Sequence, residues 1–163
     1  MAQKASPETA SNLRRPAAAA ERTVTLIALL RRTTHLMVDE ITERLAAVGF
    51  PDAPPSFHPV FENIDPDGTR LTVLAARAGL THQSIGEVVA ELERRGFVER
   101  VADSTDRRAR LVRLTDDGRD LVRAAVEQIA SIEREWTDRW RAAGLHGDLG
   151  PALHAALAAW DGR

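Results

Sequence analysis

Apolar residues recur at spacings of three and four through most of the chain, and this period predicts α-helices. A long first helix is predicted over residues 21–48, where Gly49 ends it. Its apolar face is wide, so it needs more than one packing neighbour. A short second helix is predicted over 58–63, and Asp-Pro-Asp-Gly at 65–68 predicts a tight turn.

Two shorter helices follow, joined through residues 78–81. The first is predicted over 69–78, with Gly79 at its left-handed C-terminal position. Thr81 is a suitable N-cap for the second, which ends at Gly96. The second helix has apolar residues in the i, i+3, i+4, i+7 pattern at Ile85, Val88, Val89 and Leu92. Two helices joined this closely predict a helix-turn-helix.

After Gly96 the period changes to two, which predicts β-strands over 97–101 and 110–114. The loop between them, residues 102–109, is charged and rich in turn-forming residues, so the pair is a hairpin. A long helix then runs from the acidic turn at 115–118 to about residue 142, and a last helix covers 151–160. The predicted apolar stripe of the long helix is Val122, Val126, Ile129, Ile132, Trp136 and Trp140.

Together these elements predict a mainly α (α+β) fold, a winged helix-turn-helix with flanking long helices that form a dimerisation domain. The winged module is residues 51–115, and the helical dimerisation region is residues 19–50 and 116–163. Residues 1–18 contain few large apolar side chains and are predicted to be a flexible tail. A second copy of the chain would cover the apolar surface that the winged module leaves uncovered.

Composition narrows the possible functions. The 163 residues include no Cys and no Tyr, which excludes disulfides, thiolate metal sites and cysteine nucleophiles. We find no apolar run of about 18 residues and no secretory signal, so a cytoplasmic protein without a membrane partner is expected. The net charge is −2, yet residues 70–113 hold nine basic and six acidic residues. Positive charge is therefore concentrated in the winged module, where a nucleic-acid partner would need it.

The second helix of such a motif enters the DNA major groove with its N-terminal residues leading. The candidate DNA-binding residues on this helix are Thr81, His82, Gln83, Ser84 and Glu87. The loop of the hairpin adds Arg107, Arg108 and Arg110, which suit the negative potential of a narrow minor groove. Asp103 and Asp106 are expected to fix the loop's shape. Ordinary surface polar residues and a solvated charged hairpin remain the alternatives.

Several motifs resemble the MarR family of transcriptional regulators. They are Leu-Thr-Val-Leu-Ala at 71–75, Gly-Leu-Thr at 79–81, Leu-Glu-Arg-Arg-Gly-Phe-Val-Glu-Arg at 92–100, Asp-Ser-Thr-Asp-Arg-Arg-Ala at 103–109, and Leu-Thr-Asp-Asp-Gly-Arg at 114–119. Ser104 stands where the family often has proline. The resemblance implies a triangular homodimer built from the first, fifth and sixth helices, which binds a pseudo-palindromic operator in double-stranded DNA. It also implies that Asp106 and Arg108 form a pair in the wing.

The resemblance further implies repression that is relieved by a small anionic or aromatic effector. Such a ligand would lie between the dimerisation helices and the winged module, near His35, Phe57, His58 and Phe61. No cofactor or metal is expected.

Other functions stay open. One is a winged-helix regulator without a small-molecule effector, which acts as an activator or through a protein partner. A metal sensor is weakly supported, because the histidines lack tight ligand spacing. A protein-interaction module could reuse the fold. An enzyme is not expected, since the sequence has no His-Glu-x-x-His motif and no nucleophile elbow.

Overall fold

The structure is a computed structural model that describes residues 24–106 and 108–161. The predicted tail, residues 1–18, and the candidate wing residue Arg107 lie outside the described residues. The helices are α1 (Leu26–Ala47), a 3₁₀ turn (Pro55–Phe57), α2 (His58–Phe61), α3 (Leu71–Ala78), α4 (His82–Arg94), α5 (Asp116–Ala142) and α6 (Leu149–Asp161). The strands are β1 (Thr69–Arg70), β2 (Val98–Ala102) and β3 (Arg110–Leu114). The predicted mainly helical winged fold is confirmed.

The helix-turn-helix forms where the sequence predicts it. Gly79 ends α3 in the left-handed region at φ 64°, and the Thr81 side chain caps α4. The apolar stripe of α4 faces the core, where Ile85, Val89 and Leu92 are fully buried. This packing fixes α4 on the module and leaves its opposite face to solvent.

The wing is an antiparallel hairpin of β2 and β3, and β1 adds a third strand in the order β1-β3-β2. Thr69 pairs with Val112 and Arg70 with Leu111. The prediction that residues 69–78 are all helical is therefore wrong for its first two residues. Local periodicity cannot reveal this strand, because its partner lies about 40 residues later in the chain.

The apolar stripe predicted for α5 is partly wrong. Ile132 is buried as expected, but Val126 is 62% exposed. The core instead receives Leu121 and Ala125, which the predicted stripe omits. Ile129 and Trp136 also pack against the core, so the predicted stripe is wrong at Val126 and correct further along the helix.

A polar cluster joins α1 to α5 at the edge of the core. Arg44 donates to both carboxylate oxygens of Glu135, at 2.9 and 2.8 Å. The indole of Trp136 donates to Glu40 at 2.9 Å, and the Arg139 guanidinium lies 5.3 Å from the Trp136 ring centroid. Charge-assisted hydrogen bonds of this kind fix the relative position of two helices.

Much of the flanking helical surface is apolar and exposed. On the first turn of α1, Leu26 is 70% and Ile27 is 80% exposed. On α6, Leu157 is 63% and Trp160 is 68% exposed. Contiguous exposed apolar surface is typical of interaction sites in soluble proteins.

Candidate nucleic-acid interface

The N-terminus of α4 presents a polar surface. Thr81, His82, Gln83, Ser84 and Glu87 are all exposed. The Thr81 hydroxyl accepts a hydrogen bond from the Ser84 backbone N–H at 3.1 Å and lies 2.8 Å from the Ser84 hydroxyl. The Gln83 amide donates to Glu87 at 3.1 Å. Two of the five predicted residues, Thr81 and Ser84, thus fix the start of the helix, while His82 and Gln83 are exposed beside them.

The wing loop is shaped by its two aspartates, each in a different way. Asp103 is buried, and its Oδ1 accepts hydrogen bonds from the backbone N–H and the hydroxyl of Thr105, at 2.8 and 2.6 Å. Its Oδ2 accepts two hydrogen bonds from Arg70, at 2.9 and 2.6 Å. Asp106 accepts from the backbone N–H of Arg108 at 3.0 Å. The contact between Asp106 and Arg108 in the structure therefore uses the arginine's backbone.

Hydrogen bonds from Thr105, and then from Arg70, hold the pKa of the Asp103 carboxyl well below its usual range. The same pairing raises the pKa of Arg70. Both groups are consequently ionised at neutral pH, so the buried carboxylate is neutralised where the loop leaves β2.

The remaining arginines of the wing differ in whether they are paired. Arg113 donates to Glu99 at 2.8 Å on the hairpin, and Arg100 lies 3.6 Å from Glu93. Arg108 and Arg110 are exposed, and neither forms an ion pair with another described residue. These two guanidinium groups are therefore available to a phosphate or a base edge.

A small cavity of about 330 Å³ lies between α1, α2 and α5. Its lining consists of Thr34, Met37, Val38, Ile41, His58, Glu62, Ile129 and Ile132. His58 contributes an imidazole whose Nε2 is buried without a hydrogen-bond partner. Burial lowers the pKa of His58, and Glu62, with its carboxylate 3.6 Å from Nδ1, opposes this shift.

Only one of the four predicted ligand-binding residues lines this cavity, namely His58. Phe57 is 1% exposed and belongs to the core, where its ring stacks on His58 at a centroid distance of 4.2 Å. Phe61 is partly buried against the same core. His35 lies on an exposed part of α1 and faces Asp39 at 3.6 Å. The structure therefore brings Phe57, His58 and Phe61 together, with Phe57 and Phe61 at a centroid distance of 5.4 Å, and places His35 apart from them.

Arg70 is the residue of this region that the sequence analysis missed. It was counted only as one of the basic residues of the module. Its partner Asp103 lies 33 positions later. No periodic pattern or motif in the sequence links the two.

The described helices include none that is long and apolar enough to cross a membrane. Within the same residues, no three His, Asp or Glu side chains lie close enough together to hold a metal ion.

The fold and this surface define a winged helix-turn-helix protein. Residues 59–109 match the family model described as MarR family. The resemblance seen in the motifs is confirmed for this segment, which contains the helix-turn-helix and most of the wing loop and is similar to the MarR family.

Comparison with individual proteins supports the same assignment. Transcriptional regulator HosA of Escherichia coli O157:H7 is 33% identical over 75 residues, which is 46% of this chain and 56% of HosA. The chain thus matches little more than half the length of this curated relative.

Solved structures share the fold over most of the chain. The S. aureus MepR–DNA complex aligns with a TM-score of 0.63 at 21% identity, over 83% of this chain and 96% of MepR. The PcaV transcriptional regulator of Streptomyces coelicolor, in complex with its natural ligand, aligns with a TM-score of 0.63 at 24% identity, over 88% of this chain and 96% of PcaV.

Proposed function

We propose that this chain is a homodimeric transcriptional regulator that binds a pseudo-palindromic DNA operator and is released by a small-molecule ligand. The observation that carries the proposal is the surface formed by the exposed N-terminus of α4 and the unpaired wing arginines Arg108 and Arg110. The helix supplies donors and acceptors that suit base edges in a major groove. The wing supplies positive charge for the adjacent backbone or minor groove. MepR, which has this fold, was solved bound to DNA.

A homodimer explains the exposed apolar surface of the flanking helices. Large apolar side chains are exposed on the first turns of α1, at Val126 on α5 and on α6. A crevice of about 790 Å³ between α1, α5 and α6 adds concave surface to the same region. An isologous interface here would bury these residues and pair two recognition helices. Half-sites about one DNA turn apart would follow from that symmetry.

The cavity beside His58 is the proposed effector site. It lies between a dimerisation helix pair and α2 of the winged module, so a bound ligand would change how the two parts pack. Its lining is largely apolar and includes Glu62, and none of its lining residues is Arg or Lys. Of the two chemistries expected, this lining favours a neutral aromatic ligand over an anion, because a buried anion needs a positive partner.

The DNA proposal is tested by selecting binding sites from random duplex DNA with the purified protein. Affinity for the selected site is then measured at several salt concentrations. We expect a pseudo-palindrome and a steep fall in affinity with salt, because phosphate contacts release counterions. Selection of no motif, with weak binding to all duplexes, would contradict the proposal.

The effector proposal is tested with matched pairs of small aromatic compounds that differ only in carrying an amide or a carboxylate. We expect the neutral member to release the selected duplex at the lower concentration. The control is Ile129→Trp, which fills the cavity and should bind DNA without responding to the compound. Release by the carboxylates alone would contradict the neutral assignment.

A further inference from the structure

The ion pair between Arg70 and Asp103 joins the wing loop to the strand that precedes α3. Arg70 is the last residue of β1, at one edge of the sheet, and also the N-cap position of α3. Asp103 is the first residue after β2, at the other edge. The arginine side chain therefore reaches past the central strand β3 to the start of the loop.

Both ends of this link are held in place by other contacts. Thr69, next to Arg70, is 3% exposed, and its hydroxyl donates to Asp65 at 3.0 Å and accepts from the Asp65 backbone N–H at 2.8 Å. On the wing side, Asp103 donates its backbone N–H to the Ala109 carbonyl at 3.2 Å. Its carboxylate Oδ1 accepts hydrogen bonds from the backbone N–H and the hydroxyl of Thr105. Movement of the loop relative to α3 must therefore break the link.

Within the described part of the chain, Arg70 is the one side chain from outside the wing loop that pairs with a side chain of the loop. Besides the 2.6 Å contact with Asp103, it lies 4.0 Å from Asp106. The Asp106 carboxylate in turn accepts a hydrogen bond from the backbone N–H of Arg108. The backbone of Arg108 is thus held by Asp106, whose carboxylate lies near the same Arg70 guanidinium that binds Asp103.

We propose that Arg70 is a positioning residue for DNA binding, which acts through Asp103 to fix the wing and its free Arg108 relative to the recognition helix α4. This inference rests on the proposed DNA-binding function and assigns a role to a residue outside the expected contact set. Fixing the loop before binding removes an entropic cost from the complex. Asp103 engages Nε and Nη2 of Arg70, so the positioning role is separated from a direct phosphate contact by the variants below.

The direction in which two single substitutions change DNA affinity distinguishes this role from a purely electrostatic one. Arg70→Gln removes a positive charge and Asp103→Asn removes a negative one. If the residues acted only through charge near DNA, the first change would weaken binding and the second would strengthen it. If they act by holding the wing, both weaken binding to the selected duplex, by about tenfold, and the double variant is no weaker than the worse single variant.

The position of the wing is read separately by limited trypsin digestion without DNA. Cleavage in the loop is expected to accelerate in Arg70→Gln and Asp103→Asn, because a loosened loop enters the protease more readily. Arg113→Gln is the matched control, since it breaks the exposed Arg113–Glu99 pair on the same hairpin and leaves the loop anchored. That variant should be digested at the wild-type rate. Circular dichroism of each variant verifies that the helices are retained.

Each outcome decides a different point. Wild-type protein that selects no duplex contradicts the proposed function and this role with it. Wild-type protein that binds, together with tighter binding by Asp103→Asn or unchanged loop cleavage in Arg70→Gln, overturns the positioning role and leaves the proposed function standing. Full affinity in Arg70→Lys but not in Arg70→Gln, with Asp103→Asn unaffected, would make Arg70 a direct phosphate contact and also overturn it.

Discussion

Single residues determine how the wing is joined to α5. Thr115 caps α5, and its hydroxyl donates to the Gly96 carbonyl at 2.6 Å, while its backbone N–H donates to the Phe97 carbonyl at 3.1 Å. These bonds draw α5 so close that a methyl group at Gly118 would overlap the Phe97 carbonyl oxygen. The glycine of the Leu-Thr-x-x-Gly motif is therefore required by close backbone approach.

We expect Gly118→Ala to lower the free energy of unfolding by about 1–3 kcal/mol, because backbone atoms must shift to admit the methyl group. Chemical denaturation followed by circular dichroism measures this loss. Gly150→Ala is the matched control, since Gly150 is also helical and a methyl group there meets nothing within 4 Å. Alanine's helix propensity makes that change neutral or slightly stabilising. Equal stabilities for the two variants would contradict the close-approach argument.

The buried imidazole of His58 predicts a dependence of stability on pH. Because its pKa is lowered by burial, the folded protein binds its proton less readily than the unfolded chain does. The stability that this group contributes is complete above the unfolded pKa of about 6.5 and declines as the pH falls from there through the lower folded pKa. His58→Gln should show a shallower decline in melting temperature between about pH 7.5 and 5.5. Parallel pH profiles for wild type and variant would remove His58 as the cause.

At the scale of elements, we expect the exposed face of the recognition helix α4 to determine which base sequence is preferred rather than how tightly DNA is bound. Gln83 is exposed on α4 and donates only to the neighbouring Glu87. Since Gln forms paired hydrogen bonds to adenine, we expect Gln83→Ala to change the preferred sequence more than the overall affinity. Repeating the selection from random duplexes with the variant measures this. Gln128→Ala, on α5, is the matched control and should select the wild-type motif. If the Gln83→Ala variant also selects the wild-type motif, Gln83 does not take part in base readout.

We expect the wing to contribute to overall DNA affinity rather than to sequence preference. Arg108 is exposed and has no acidic partner among the described residues, so its loss frees no competing charge. We expect Arg108→Ala to weaken binding to the selected duplex by roughly 1–3 kcal/mol. Fluorescence anisotropy titration measures the change, with Arg123→Ala on α5 as the control. Equal affinity in both variants would refute the role of the wing arginine.

The accuracy of the sequence predictions follows from the range of the interactions involved. The end of α3, the cap of α4 and its buried stripe depend on neighbours within a few residues, and all were predictable. The strand at Thr69–Arg70 and the Arg70–Asp103 pair depend on contacts between distant segments, and local patterns carry no signal for them. The stripe of α5 was wrong at Val126 because apolar residues are adjacent at 121–122 and 125–126, and periodicity alone does not show which of two adjacent positions faces the core.

At the scale of the whole molecule, two kinds of apolar surface have different explanations. The core of the winged module is buried within one chain, as Leu74, Ile85, Val89 and Leu92 are fully buried. Among the residues that the structure describes, the exposed apolar residues of α1 and α6 have no such cover. In the proposed dimer, each copy would therefore form the module alone, whereas the spacing of the two recognition helices would depend on the flanking helices.

A substitution at the exposed surface of α6 tests this dependence. Leu157 is 63% exposed, so in a monomer Leu157→Glu would be nearly neutral, because surface changes rarely exceed about 0.5 kcal/mol. In the proposed dimer it buries a charge in an apolar interface, and sedimentation should show a shift toward monomer. Val73→Glu is the control, since Val73 is 38% exposed on α3, outside the dimerisation region. We further expect the Leu157→Glu monomer to bind an isolated half-site as wild type does. It should lose the added affinity of the full pseudo-palindrome, because this added affinity comes from linking two modules.

A variant that stays dimeric would place the interface elsewhere. A monomer with full affinity for the intact operator would show that the two half-sites are bound independently.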